Sequence, residues 1–464
     1  MRIALINVGF EPGEGDLRPA PPYGIMTVGA YLESKGHEVL LFDWSGEKID
    51  DDKRRSLLNA KPELVGLHVK ISTALLRAIQ VSKWAKANKI PVVWGGPGTM
   101  VIPELMLREG PVDYLVLGEG EQTISELVDA LKQNLPLQDI KGLAYLKEGQ
   151  YIRTAARERI TDLNSLPKPL WNKLGDLARY FTPLYGRNAI SLVTSRGCPG
   201  NCTFCYSKMM WGYKWYALSP QRVVDDIEEI MRLDPRISGF IIMDDLFATD
   251  PQRVKDICSI IIDKKLDIVW NCEIRADMID QSLLAVMKQA GCKQILVGVE
   301  SGSDRLLQMV RKDVSAEDII QAAKLIHEAD MEVYAMVING LPTETKEDIR
   351  RTERMLDVIK PEYTEFLTYM PYPGTVLFDS AVEHGFSPPT NLEGWGDMGT
   401  FSVASIHDKG LTSYANKMYL AMEKRTKRKA TMNSYLKSIS KDPFTAPLRA
   451  LRFMMKRKGD NNGA

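Results

Sequence analysis

The stretch TSRGCPGNCTFCYSK, residues 194–208, gathers Cys198, Cys202 and Cys205 into eight positions of the chain. The chain has six cysteines among 464 residues, so half of its thiols lie in this one loop. The spacing C-x3-C-x2-C offers three ligands, whereas structural zinc sites generally use four. Three thiolates around a [4Fe–4S] cluster would leave one iron open, and an open metal position can bind a substrate or cofactor. A zinc site completed by a distant histidine is the alternative.

The overall composition is that of a globular protein of two or three domains, with 44% hydrophobic and 26% charged residues. Sixty basic and sixty acidic side chains cancel, which argues against a nucleic-acid partner. The start, MRIALINVGF, is typical of a strand rather than a signal peptide, and no apolar run approaches about 20 residues. We therefore expect a cytoplasmic protein with reduced thiols, in which a disulfide is disfavoured.

Residues 1–135 alternate short apolar runs with helical patterns, which predicts a parallel sheet covered on both faces. The expected strands are 2–8, 38–44, 64–69, 91–96 and 114–120, with helices over 24–36 and 73–89. Open sheets of this kind bind ligands at the carboxyl ends of their strands. Glycines that permit a close backbone approach occur there, although tight turns alone also require glycine: Gly95, Gly96, Gly98, Gly118 and Gly120.

Residues 136–185 lose this rhythm, with a predicted hairpin over 142–154 and a proline-broken linker over 163–174. A second alternation fills 186–400, with strands expected over 189–195, 239–245, 267–274, 294–300, 332–340 and 363–370. Six such strands with intervening helices predict a partial (β/α)6 barrel of the TIM type, whose chemistry lies at the carboxyl ends of the strands. The cysteine loop directly follows the first of them. Residues 401–464 are expected to form a small, basic, helical C-terminal region.

The cysteine loop and the strand that precedes it resemble the signature of the radical S-adenosylmethionine (SAM) enzymes. The aromatic residue before the third cysteine of that signature is Phe204 here. The resemblance implies a [4Fe–4S] cluster held by Cys198, Cys202 and Cys205, with SAM bound to the open iron. In this family an electron from the cluster cleaves SAM, and the resulting 5′-deoxyadenosyl radical takes a hydrogen atom from the substrate. The cofactors carry this chemistry, and the protein supplies position and a water-poor site.

The resemblance extends over the later strand ends and implies a set of SAM contacts there. Two of these contacts have plain alternatives: the acids of MDDLF can cap the next helix, and the arginine of MVRKDVS can be a solvated helix-end charge. That arginine is the expected partner of the SAM carboxylate, which a guanidinium fork matches. The implied SAM contacts are Phe204, Asp244, Asp245, Glu273, Arg275, Glu300, Ser301, Arg311, Gly340, Leu341 and Pro342.

The N-terminal module resembles the cobalamin-binding domain of the B12-dependent branch of this superfamily, so we expect a Rossmann-like domain that binds cobalamin. The histidine of the Asp-x-His-x-x-Gly motif is absent after Asp43, where the sequence is DWSGEKI. His68, near the end of the third strand, either faces the ligand or fills the core. The implied cobalamin contacts are Asp43, His68, Ser72, Thr73, Gly95, Gly96, Gly98, Gly118, Glu119 and Gly120.

Together these resemblances favour a cobalamin-dependent radical SAM methyltransferase that acts on an unactivated carbon or phosphorus centre. A cyclase of the same architecture, similar to the anaerobic enzyme that closes the fifth ring of chlorophyll precursors, is the alternative. A corrinoid-binding regulator without catalytic activity is a third hypothesis. A methylthiotransferase is disfavoured because residues 1–197 contain no cysteine, whereas that branch carries further cysteines in its N-terminal domain.

The expected partners are a small-molecule or lipid-like substrate and a reductant such as flavodoxin or ferredoxin. Residues 421–464 contain twelve Lys or Arg residues against three acidic ones. This tail is either a peripheral contact with an anionic membrane or a solvated basic helix.

Overall fold

In the computed structural model of the chain, the residues described are 1–13, 18–398, 414, 417, 418 and 420–422. Within these residues, no helix is both long and apolar enough to span a bilayer. The described residues form two seven-stranded sheets, one in each half of the chain, and a small two-stranded sheet.

The first sheet has the strand order β2-β1-β3-β4-β5-β6-β7, and its first five strands are parallel. It buries apolar strands between helices on both faces, as a Rossmann-like domain does. Its elements are β1 (Arg2–Asn7), α1 (Tyr23–Ser34), β2 (Glu38–Asp43), α2 (Asp51–Asn59), β3 (Leu64–His68), α3 (Thr73–Ala87), β4 (Val92–Gly95), α4 (Pro103–Glu109), β5 (Tyr114–Val116), α5 (Gly120–Gln133), β6 (Leu143–Lys147) and β7 (Gln150–Arg153).

The hairpin predicted over 142–154 forms, but it belongs to the first sheet. Its strand β6 pairs antiparallel with β5, so the sheet continues to Arg153, beyond the domain boundary expected at residue 135. The hairpin thereby covers the edge that the short strand β5 would otherwise expose. The strand expected over 114–120 is accordingly shorter, and Gly120 already begins α5.

The second sheet has the strand order β16-β15-β14-β13-β12-β9-β8. Six of its strands are parallel, and β8 adds an antiparallel edge that begins before the expected boundary at residue 186. The elements of this half are β8 (Thr182–Leu184), β9 (Arg187–Leu192), β10 (Ser195–Arg196), α6 (Ser207–Trp211), β11 (Tyr216–Ala217), α7 (Pro220–Leu233), β12 (Ile237–Ile242), α8 (Pro251–Asp263), β13 (Val269–Glu273), α9 (Gln281–Gln289), β14 (Cys292–Glu300), α10 (Asp304–Met309), α11 (Ala316–Glu328), β15 (Glu332–Asn339), α12 (Lys346–Ile359), β16 (Tyr363–Thr368), α13 (Phe378–Glu383) and α14 (Leu392–Asp397).

The second sheet is curled into a partial barrel. Tyr185, in the turn between β8 and β9, donates a hydrogen bond to Glu332 at the start of β15. Four strand steps separate β9 from β15 in the sheet order, so this contact requires the sheet to bend round. The expected partial (β/α)6 barrel is confirmed.

After the barrel the chain returns to the first domain. Leu392 and Trp395 of α14 are buried in the core formed by β1, β3, β4 and α3. The Leu392 amide donates to the Glu109 carboxylate at the end of α4, at 2.8 Å. The expected helical region 401–464 lies outside the described residues except for six positions, of which Met422 is buried against the barrel core.

Candidate functional site

The cysteine loop leaves the carboxyl end of the first barrel strands and is anchored at its middle. The Thr203 amide donates to the Val310 carbonyl at 2.9 Å, and the Thr203 carbonyl accepts from the Leu377 amide at 3.0 Å. Phe204 packs against the apolar cluster that contains Leu341 and Tyr369. The loop is therefore held from beneath by the later part of the barrel.

The three thiols of this loop are half-buried and close enough to influence one another electrostatically. Burial raises the pKa of each thiol, and that of Cys205 reaches about 12. The cations Arg275 and Lys312 act in the opposite direction on Cys198 and Cys202, which favours the thiolate that a metal requires. These thiols and cations fit a [4Fe–4S] cluster.

The described histidines do not offer these thiols a fourth ligand. His37 approaches the N-terminal amine, His327 approaches Glu362, His384 approaches the Ser380 carbonyl, and His68 lies in the first domain. A zinc site completed by a distant histidine therefore has no support from the described part of the chain.

Acids from three strand ends converge with one lysine next to the loop. Glu300 and Asp245 both lie close enough to Glu273 to act on its carboxylate, and Lys312 lies beside Glu273 and Glu300. The Lys312 Nζ pairs with Glu300 Oε1 at 2.6 Å, and both side chains are buried. Burial raises the pKa of Glu273 to about 7, with Glu300 and Asp245 adding to the rise and Lys312 opposing it. These side chains carry both positive and negative charge, so they suit a ligand with an amino group and a carboxylate, such as the methionine part of SAM.

The two acids after β12 have different roles, although both are predicted SAM contacts. Asp244 is buried and accepts four hydrogen bonds, from the Thr194 amide and hydroxyl at 2.6 and 2.5 Å and from those of Ser195 at 3.0 and 2.7 Å. These bonds occupy its carboxylate and tie β12 to the start of the cysteine loop, and the contact of Asp244 with SAM stays a prediction. Asp245 accepts the Gly197 amide at 3.0 Å, interacts with the nearby Ser207 hydroxyl, and lines the cavity described below.

Two further predicted SAM contacts lie elsewhere. Arg311 is exposed and has a left-handed φ of 51°, whereas the neighbouring Lys312 turns inward. Ser301 is 1% exposed, and its hydroxyl accepts from the Ser303 amide at 3.2 Å and lies 3.4 Å from the Thr352 hydroxyl. The structure therefore brings Lys312, rather than Arg311, to the acidic cluster beside the cysteine loop, and it buries the Ser301 side chain. The contacts of Arg311 and Ser301 with SAM stay predictions.

The remaining predicted SAM contacts lie around the loop. The Arg275 guanidinium is held by Asp277 and by the Lys312 carbonyl, and it lies beside the Gly200 backbone of the cysteine loop. Gly340 has a φ of 77° after β15, and no atom lies within 4 Å of the position a Cβ would take. Leu341 and Pro342 follow it and are buried.

A cavity of about 390 Å³ lies between the carboxyl ends of the first sheet and the cysteine-loop side of the barrel. Six of the predicted cobalamin contacts line one wall: His68, Gly95, Gly96, Gly118, Glu119 and Gly120. The opposite wall includes Tyr206, Met210, Trp211, Met243 and Asp245. The other predicted contacts, Ser72, Thr73, Gly98 and Asp43, are not among the lining residues. Ser72 instead caps α3, accepting from the Ala74 amide at 3.2 Å.

The first-sheet wall of this cavity requires glycine at two positions, Gly96 and Gly66. Gly96 has a φ of 99°, and a Cβ there would lie 2.6 Å from His68 Cδ2. Gly66, two residues before His68 on the same strand face, would bring a Cβ within 2.7 Å of a Leu5 methyl group. Burial lowers the pKa of His68 to about 3, so its imidazole is neutral. Bare backbone around a neutral imidazole fits the close approach of a large, flat ligand such as a corrin.

Asp43, the first of the predicted cobalamin contacts, is occupied elsewhere. Its Oδ1 accepts from the Asn7 amide group at 2.9 Å and from the Ser45 hydroxyl at 2.8 Å. Its Oδ2 accepts from the Tyr180 hydroxyl at 2.8 Å, which ties the linker to β2. The carboxylate is 3% exposed. Asp43 thus holds the linker and is not among the residues that line the cavity, and its contact with cobalamin stays a prediction.

A buried ion-pair network that the sequence did not predict joins the two walls of the cavity. Arg196 of β10 pairs with Glu119 Oε1 at 2.7 Å through Nη1 and with Glu121 Oε1 at 2.6 Å through Nη2. Glu119 Oε2 accepts the Ile160 amide at 2.8 Å. Glu119 therefore contributes to the wall through its backbone and through this network.

Comparisons with known proteins match both halves of the chain. The radical SAM superfamily signature matches residues 192–356, and that of the B12-binding domain matches residues 18–128. An uncharacterized methyltransferase of Pyrococcus horikoshii is 31% identical over 394 residues, covering 82% of this chain and 84% of the relative. The anaerobic magnesium-protoporphyrin IX monomethyl ester cyclase of Rubrivivax gelatinosus is 28% identical over 391 residues, covering 82% and 69%.

The fold is shared with a solved structure of known cofactor content. The radical SAM methyltransferase TsrM from Kitasatospora setae, solved with cobalamin and a [4Fe–4S] cluster, superposes with a TM-score of 0.69. The sequence identity is 18%, and the match covers 83% of this chain and 75% of TsrM. The similarity therefore spans both domains in the same arrangement.

Proposed function

The chain belongs to the radical SAM enzymes that carry a B12-binding domain, and from this premise we propose that it is a methyltransferase acting on an unactivated carbon or phosphorus centre. Its cofactors are SAM, a [4Fe–4S] cluster and cobalamin. The observation that carries the proposal is the cavity itself, whose walls are the glycine-rich strand ends of one domain and the cysteine-loop side of the other. Such an arrangement suits a methyl carrier and a radical source that act on one substrate.

The residues of the chain have distinct roles in this proposal. Cys198, Cys202 and Cys205 would hold the cluster, which when bound would supply the electron for cleavage of SAM. Lys312 and Arg275 provide positive charge for the SAM carboxylate, and Asp245 provides negative charge for its amino group. Gly95, Gly96, Gly118 and Gly120 line the part of the cavity proposed for the corrin. Apolar residues such as Met243 and Trp211 on the facing wall exclude water from the reacting centre.

The decisive measurement is the pair of products released from SAM. Anaerobically reconstituted, reduced protein should release both S-adenosylhomocysteine and 5′-deoxyadenosine when supplied with substrate, because methyl transfer and radical formation each consume SAM. The matched control is Cys202→Ala, which keeps the B12-binding domain but removes a cluster ligand. It should release no 5′-deoxyadenosine. Release of 5′-deoxyadenosine without S-adenosylhomocysteine would contradict methyl transfer.

That contrary result would instead favour a cyclase or rearranging enzyme of the same architecture. The relative from Rubrivivax gelatinosus, which bears the name of a cyclase, is the observation that supports this second candidate. The two candidates share every cofactor contact described above. They differ in whether a methyl group leaves SAM, which is why the product pair separates them.

The proposed partners follow from the chemistry of the cofactors. A one-electron donor such as flavodoxin or ferredoxin would reduce the cluster in the cytoplasm, and a small or lipid-like substrate would enter the largely apolar cavity. The basic residues 421–464 remain a proposed membrane contact. Co-sedimentation with anionic vesicles that is unchanged by deletion of these residues would refute that contact.

A further inference from the structure

The ion pairs of Arg196 are unusual in their position as well as in their burial. The side chain is 15% exposed, and the carboxylates of Glu119 and Glu121 are 5% and 3% exposed. By contrast, the ion pair between Lys173 of the linker and Glu33 of α1 is about one-third exposed. Separating a buried pair leaves an uncompensated charge and is strongly unfavourable, whereas a surface pair contributes little.

On the barrel side, Arg196 stands two residues before the first cluster cysteine. The next residue, Gly197, donates its amide to Asp245 at 3.0 Å. Gly197 has a φ of 89°, and a Cβ there would lie 2.2 Å from the Lys214 carbonyl oxygen. The backbone entering the cysteine loop is therefore fixed in one conformation and one place, and Arg196 is the side chain that leaves it toward the other domain.

On the opposite side, both carboxylates belong to the turn that begins α5. This turn carries Gly118 and Gly120, which line the cavity wall assigned to cobalamin. The Ile160 amide holds the second oxygen of Glu119, so the turn cannot shift without breaking that bond. The network therefore joins the backbone that leads to the cluster with the backbone that faces the corrin.

The geometry of this network requires arginine. One planar guanidinium reaches two carboxylates through separate nitrogens, Nη1 and Nη2, which a lysine ammonium on a flexible stem cannot reproduce. The Trp211 ring lies 6.0 Å from this guanidinium and 5.6 Å from that of Arg159, which also faces Glu119. The indole and the second guanidinium restrict the directions that Arg196 can take.

We propose that Arg196, with Glu119 and Glu121, is a positioning residue that sets the separation between the cluster-bound SAM and the cobalamin. The inference rests on the proposed function only in that both cofactors act in one cavity. Arg196 needs no contact with either cofactor for this role. A misplacement of about 1 Å can reduce the rate of a reaction roughly 100-fold. A buried ion-pair network that fixes the spacing between the two cofactors would therefore maintain the rate of methyl transfer.

The test measures that separation directly in the holoenzyme. With the cluster reduced to its paramagnetic state and cobalamin present as cob(II)alamin, pulsed dipolar EPR gives the distribution of distances between the two spins. The variants are Arg196→Lys and Glu121→Gln, and the matched control is Glu33→Gln, which removes the one-third-exposed ion pair between Lys173 of the linker and α1. Iron, sulfide and cobalamin contents establish that each variant is loaded.

We expect a narrow distance distribution in the wild type and in Glu33→Gln, and a broader or shifted one in both test variants. The ratio of S-adenosylhomocysteine to 5′-deoxyadenosine should fall by about 10- to 100-fold in Arg196→Lys, because cleavage of SAM at the cluster does not depend on the corrin. Glu121→Gln removes one arm of the network and should give an intermediate effect.

Loaded test variants with the wild-type distance distribution would overturn the proposal. Loss of cofactors from both test variants, with normal loading of the control, would show a purely structural role and would overturn it as well. A wild-type enzyme that releases no S-adenosylhomocysteine contradicts the proposed methyl transfer instead. In that case the distance measurement still decides whether Arg196 positions the cofactors.

Discussion

Replacing each of the two adjacent acids after β12 should separate folding from cofactor binding. Asp244→Ala removes the acceptor of four buried hydrogen bonds, two from backbone amides and two from hydroxyls. The hydroxyls can rotate toward other partners, whereas the two amides cannot. Each buried amide left without a partner costs about 1–3 kcal/mol, so we expect a loss near 4 kcal/mol in the free energy of unfolding.

For a domain of this size a loss near 4 kcal/mol corresponds to a fall in Tm of roughly 8–16 °C. Asp245→Ala removes one accepted hydrogen bond on a side chain that faces the cavity, so its Tm should fall much less. It should instead weaken SAM binding by about 10- to 100-fold, the value of one charge-assisted hydrogen bond.

The assay is thermal unfolding followed by circular dichroism, combined with equilibrium SAM binding to the reconstituted protein, all under anaerobic conditions. Asp244→Asn is the matched control, because its remaining oxygen can still accept both backbone amides and should restore most of the Tm. If Asp244→Ala unfolds within 2 °C of the wild type, or if Asp245→Ala is the variant with the lower Tm, the division of roles described above is wrong.

Three further predictions use the same preparations. Lys312→Met should reduce the affinity for SAM at least about tenfold because it removes a buried charge at the site. Arg311→Met, at an exposed position, should leave this affinity unchanged. Equal losses of affinity in the two variants would favour Arg311 as the partner of the SAM carboxylate. Gly96→Ala should abolish cobalamin retention on gel filtration, because its Cβ would meet the His68 ring, while Gly36→Ala, with a similar positive φ but open space, should cost only about 1 kcal/mol and keep the cofactor. The hydrogen bond to Glu362 raises the pKa of His327, so this pair stabilises the fold fully below pH 6.5, and the stabilisation is lost as the pH rises through the higher folded pKa. In urea unfolding, His327→Gln should remove a pH-dependent part of the free energy of unfolding of less than about 1 kcal/mol over that range. A steeper pH dependence in the variant than in the wild type would contradict this prediction.

The order of strands and the location of the site were predictable from the sequence because they depend on patterns that persist along the chain. Apolar runs alternating with helical stretches fix a parallel sheet, and parallel sheets place their loops at one edge. The hairpin was also predictable, but its membership in the first sheet was not. Its pairing is decided by which sheet edge is left open, and that edge exists only in the folded domain.

At two places in the site the sequence does not distinguish which of two neighbouring residues of the same charge faces inward. Asp244 and Asp245 differ in which side of the strand end they face, and Arg311 and Lys312 differ because a left-handed residue reverses the direction of the chain between them. The local sequence shows which charged residues occur at a strand end or helix end, but not which of their side chains points into the site. The pairing of Arg196 with Glu119 and Glu121 could not be predicted for another reason. Glu119 lies 77 residues and Glu121 lies 75 residues before Arg196 in the chain.

The return of α14 to the first domain limits how the cavity can open. The chain leaves the first domain after Arg153 and is fastened to it again at Leu392, by burial of Trp395 and by the bond to Glu109. The barrel is thus attached to the first domain through α14 as well as through the linker and the Arg196 ion pairs, and a rotation about the linker alone would break the contacts of α14. Entry and exit of the corrin must therefore use local movement at the rim of the cavity, and cleavage between the barrel and α14 should speed its release without unfolding either domain.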